Sequence, residues 1–107
     1  MGNIDHYFLL KLSDINHRIT VHEGKAVKQL ESQSRKILFH LLPSACPGKY
    51  KEQLIELRNI ISDNLRNGSP SESVPIKLEN LNTKQAEKYI KLLEDIENHI
   101  DYELDKI

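Results

Sequence analysis

The sequence predicts an all-α fold: an up-down-up helical bundle in a single domain spanning residues 1–107. Two observations lead there. Apolar residues recur at steps of three and four along most of the chain, the spacing of one helix face. Helix-breaking residues gather mainly in "PSACPG" (43–48) and "RNGSPSES" (66–73), leaving three helical stretches between and around them. A chain of this length can bury one modest core and has little room for a second.

The first stretch carries Phe8, Leu12, Ile15, Ile19, Ala26, Leu30, Ile37 and Leu41, with His22 and Gln33 filling the two gaps. The phase survives Gly24, and a glycine inside a helix costs only about 1 kcal/mol relative to alanine. The expectation is therefore a long N-terminal helix over residues 5–42. At 1.5 Å per residue it would be about 57 Å long. The alternative is a break at Gly24, which gives a four-helix bundle. After the stop at "PSACPG", Tyr50, Leu54, Leu57, Ile61 and Leu65 form the stripe of a second helix, about 48–66.

A linker, 67–82, follows. Val74, Ile76 and Leu78 alternate within it as an extended segment, and Pro75 argues against a central strand. The third helix, about 83–106, has a start signal. Asn82 or Thr83 can cap it, and Gln85 or Glu87 sits close enough to answer. Its buried stripe is Ala86, Tyr89, Leu93, Ile96, Ile100 and Leu104.

Composition narrows the function. With 38% hydrophobic and 29% charged residues the chain is expected to fold rather than stay disordered. A net charge of −1 supplies no field for DNA or an anionic membrane. With six aromatic residues and no Trp there is no stacking platform for single-stranded nucleic acid either. Nucleic acid and membrane are thus not expected partners. One cysteine, Cys46, forms no internal disulfide, and "MGNIDHYFLLKL" lacks the basic start of a signal peptide. The expected location is cytoplasmic.

Charge is unevenly spread. Residues 1–69 hold ten bases against seven acids, and residues 70–107 five against nine. On the last helix Glu87, Glu94, Glu97, Asp101 and Asp105 fall in one sector, about a right angle from the apolar stripe. On the first, Lys11, Arg18, Lys25 and Lys36 form a similar strip on the opposite flank. Acid at a helix C-terminus opposes the helix dipole, so the arrangement needs a reason. Either the two strips pair across a parallel first and last helix, as e and g positions do, or the acids face outward to meet a basic partner. Glu94, Glu97, Asp101 and Asp105 are the candidate partner-binding residues. The length of the first helix would leave its N-terminal apolar run uncovered, so a homodimer is expected, with Tyr7, Phe8, Leu9 and Leu12 as candidate self-association residues.

Catalytic equipment is sparse. His6, His17, His22, His40 and His99 have no finger-like or H-E-x-x-H spacing, so neither metal nor other cofactor is expected. Cys46 has no assignable base. In "RKILFH", Arg35 and His40 resemble the R-x4–6-H pattern of the HEPN ribonucleases, small helical proteins that dimerise and cut RNA without a metal. The resemblance covers six residues. It implies a phosphate-stabilising role for Arg35 and a proton-transfer role for His40 at a dimer cleft. The favoured expectation is a non-enzymatic protein-interaction module, an adaptor, immunity or antitoxin-type protein or regulator. The HEPN-like ribonuclease is the alternative.

Overall fold

Asp5 opens the first helix: its carboxylate accepts a hydrogen bond from the Phe8 N–H at 3.0 Å, satisfying one of the free donors of the first turn. The computed structural model describes residues 5–65, 77–79 and 81–105. Most of the expected linker, including Val74 and Ile76, lies outside the described residues. So do Met1 to Ile4, Lys106 and Ile107.

The helices are α1 (His6–Val21), α2 (Ala26–Ser32), α3 (Ser34–His40), α4 (Lys51–Leu65) and α5 (Thr83–Asp105). Two 3-10 turns, Pro43–Ala45 and Gly48–Tyr50, lead from α3 into α4. The fold is all-α, and the described residues contain no strand. No described helix is long and apolar enough to cross a membrane.

The continuous helix over 5–42 does not form. The chain reverses around Gly24, the arrangement that was the alternative. Contacts on α1 rise in number as those on α2 and α3 fall: Tyr7 meets His40, Asp14 meets Lys36, and Ile19 meets Gln29. The three elements thus form an antiparallel hairpin. The turn needs no proline, because side chains hold it. His22 and Lys25 are extended, and Gly24 N–H donates to His22 Nδ1 at 3.0 Å. A Cβ on Gly24 would stand 2.7 Å from His22 Cε1, so any larger residue here would have to displace the imidazole. A second interruption falls at Gln33, between α2 and α3.

The apolar stripes form one core. Phe8, Leu12, Ile15 and Ile19 of α1 meet Leu30, Ile37 and Leu41 from the return limb. Leu54, Leu57 and Ile61 of α4 and Ala86, Tyr89, Leu92, Leu93, Ile96 and Ile100 of α5 complete it. The α4 and α5 helices run antiparallel, since Tyr50 packs on His99 while Glu56 meets Tyr89. Arg58 Nη2 donates to Leu38 O at 3.0 Å, placing a cation on the last turn of α3.

The start of α5 is a reciprocal capping box. Gln85 N–H donates to Asn82 Oδ1 at 2.8 Å, and Asn82 N–H to Gln85 Oε1 at 3.0 Å. Just before it, Leu78 and Leu81 are buried, and the Leu78 N–H donates to Glu31 Oε2 at 2.7 Å. That bond ties the approach to α5 onto α2.

Candidate protein-interaction face

Burying Leu93, Ile96 and Ile100 turns the acidic flank of α5 away from the core. Glu87, Glu94, Asp101 and Asp105 are exposed and Glu97 is half-buried. The expected pairing of this flank with the basic strip of α1 does not occur. Arg18 and Lys36 both go to Asp14 instead, at 3.0 Å and 3.6 Å. Lys11 stands over the Tyr7 ring, 5.5 Å from its centroid. Lys25 shares a groove with Glu87 and Glu94 but makes no ion pair among the described residues. The reason is the reversal at Gly24, which carries Lys25 and Lys36 onto the return limb and leaves Asp14 between two bases. The Arg18 hydrogen bond, more than its charge or that of Lys36, holds the Asp14 carboxyl below the usual value.

Among the described residues, α5 makes one internal ion pair, Lys91 with Asp95 at 3.5 Å. Glu94, Glu97, Asp101 and Asp105 join no ion pair there. Asp101 and Asp105 lie toward the helix end that the dipole disfavours, whereas Glu94 and Glu97 lie mid-helix and Glu97 accepts a hydrogen bond from Asn16 Nδ2.

Two of the four, Glu94 and Glu97, belong to a polar groove between α1 and α5, which Ser13, Asn16, His17, Thr20 and Asn98 also line. Asn16 is only 7% exposed. Its Nδ2 donates to Leu93 O at 3.0 Å and to Glu97 Oε1 at 2.7 Å. Both partners are acceptors, which orients the amide, and Asn16 Oδ1 is buried with no hydrogen-bond partner among the described residues. Sequence reasoning passed over Asn16. The available signal was a polar residue four after Leu12 and three before Ile19, on the face that packs.

The other candidates divide. Phe8 and Leu12 are 1% and 0% exposed, so they serve the core and offer no surface for self-association. Leu9 is half-buried against the same core. Tyr7 is 55% exposed, and its hydroxyl hydrogen-bonds His40 Nδ1 at 2.7 Å. Arg35 and His40 lie in the first and last turns of α3. Five helical steps separate them by about 140° around the axis, so within one chain they do not share a face. Among the described residues no three His, Cys, Asp or Glu side chains converge as metal ligands. The Cys46 thiol is pushed up to about 11 by burial, with Lys51 opposing more weakly. That suppresses the thiolate a nucleophile needs.

Compared with known proteins, the chain matches no family model, no curated protein and no solved structure.

Proposed function

We propose that the protein is a non-enzymatic interaction module that binds a basic protein partner through the outward acidic flank of α5. The observation that carries this reading is the state of Glu94, Glu97, Asp101 and Asp105. They sit on one flank of α5, Asp101 and Asp105 toward its unfavourable C-terminal end, and none of them joins an ion pair among the described residues. Rim carboxylates of this kind set association rate and partner choice more than fold stability. With a single, buried cysteine the reading places the module in the cytoplasm, as an adaptor, immunity-type protein or regulator.

The test compares wild type with a variant in which all four acids are changed to Lys. Loss of a captured partner, with the melting temperature unchanged, supports an outward binding role. Loss of folding in the same variant would mean that the acids serve the fold. Incubation with RNA, wild type against His40→Ala, separates the two classes: cleavage lost in the variant would overturn the binding-module reading.

A further inference from the structure

We infer that the seam between α1 and α3 docks a helix of another protein, one with carboxylates beside an apolar stripe. This face is separate from the acidic flank of α5. Asn16 bonds Leu93 O and Glu97 Oε1 of α5, whereas Tyr7 and Asp14 meet His40 and Lys36 of α3. The two faces therefore lie on opposite flanks of α1. Leu10 and Phe39 stand on either side of the seam. Leu10 is two residues from both Phe8 and Leu12, which are buried, so it points away from the core and is 68% exposed. Phe39 has the same relation to buried Ile37 and Leu41 on α3 and is 56% exposed. Tyr7 lies between them, bonded to His40 through its hydroxyl and more than half exposed. Together the three expose about 400 Å², a patch of the size that marks a binding surface on a folded monomer.

Charge selects the occupant. Lys11 follows Tyr7 by one turn and Lys36 precedes His40 by one turn, and the two helices are antiparallel. Both cations therefore lie on the same side of the Tyr7–His40 contact. Between them α1 and α3 hold Lys11, Arg18, Arg35 and Lys36 against one acid, Asp14, which Arg18 and Lys36 already share. Lys11 makes no ion pair among the described residues, so a carboxylate from outside is the group that answers it. The described residues offer no sheet edge, so the partner packs as a helix, its apolar stripe on Leu10 and Phe39. A second copy fits less well. A symmetric contact would set these bases against their own images, and about 400 Å² is half of the roughly 800 Å² per partner that a stable dimer buries. A net charge of −1 gives no attraction to an anionic bilayer.

The experiment titrates the isotope-labelled full chain, followed by nuclear magnetic resonance, with a helical peptide of about 18 residues. The peptide carries leucine on one face and glutamate on both flanks. A scrambled peptide of the same composition, and one with lysine in place of glutamate, are the controls. The expected result is saturable shifts of the Leu10, Lys11 and Phe39 amides with the glutamate peptide alone. Phe39→Ser and Lys11→Glu should each weaken its binding about tenfold, with the melting temperature unchanged. Lys11→Glu should also let the lysine peptide move the same amides, a gain that no folding defect would produce. Equal shifts at these amides in wild type from the lysine or the scrambled peptide would overturn the inference. So would a dimer in light scattering that Phe39→Ser converts to monomer, which would give the face to a second copy. Phosphatidylserine vesicles that move these amides when the glutamate peptide does not would give it to a membrane instead. No shift there from the glutamate peptide would overturn the inference as well.

Discussion

Gln29 closes the end of α1 from the helix that follows: its Nε2 donates to His22 O at 3.0 Å and to Ile19 O at 3.1 Å. The last carbonyls of a helix have no partner within it, and here a side chain ten residues downstream supplies one. Gln29→Ala should cost about 1–2 kcal/mol. Thermal unfolding followed by circular dichroism should then show a melting temperature several degrees lower. An unchanged melting temperature would mean that the reversal stands without Gln29.

The same turn predicts a coupling between Gly24 and His22. A methyl group on residue 24 would meet the imidazole at 2.7 Å and Lys28 Cβ at 3.1 Å. Gly24→Ala should therefore destabilise wild type more than it does a His22→Ala background, where only the Lys28 contact remains. There the ring is gone and the loss of unfolded-state freedom at residue 24 favours alanine. A double-mutant cycle in urea measures the difference. Additive effects would show that the ring does not define the turn.

These two residues also explain what the sequence could and could not tell. The stripe positions were legible because burial follows periodicity. Leu12, Ile15, Leu30, Ile37, Leu54, Leu57, Leu93 and Ile96 all reached the core. The cap at Asn82 was legible because capping is local. The reversal was not, since an unbroken apolar phase across Gly24 fits a hairpin as well as a continuous helix. The clue lay in the two polar interruptions, His22 and Gln33, which mark the two places where the helix breaks. The sequence left open whether the acidic flank would pair with the first helix or face outward. Which bases it would meet depended on that reversal.

Tyr89 gives a prediction at high pH. Its ring is buried and its hydroxyl donates to Glu56; burial first, then the carboxylate, push its ionisation up to about 12. The unfolded chain ionises this phenol near the ordinary value of about 10. Since the folded value is the higher one, the stabilising contribution is complete below about pH 10 and is lost as the pH rises toward 12. Tyr89→Phe should remove the late phase of the tyrosinate absorbance titration and flatten the decline of stability above pH 10. A late phase that persists in the variant belongs to another residue.

Glu31 is the buried carboxylate on which the placement of α5 depends. Its Oε2 accepts from Leu78 N–H at 2.7 Å and its Oε1 pairs with Lys28 at 3.3 Å. Lys28 is exposed, so the ion pair contributes little, and the weight falls on the buried bond to the backbone. Leu78 in turn accepts from Leu81 N–H at 3.2 Å, one residue before the Asn82 cap. Cutting the Glu31 bond should therefore loosen the approach to α5 rather than the hairpin. Glu31→Ala leaves the buried Leu78 N–H without its acceptor and should cost about 1.5–3 kcal/mol. Glu31→Gln keeps an acceptor oxygen and should cost less. Hydrogen exchange reads the local effect: the Leu78 amide should lose protection in Glu31→Ala while Ile19 and Leu30 keep theirs. A Leu78 amide that stays protected in that variant would mean that something other than Glu31 holds α5 in place.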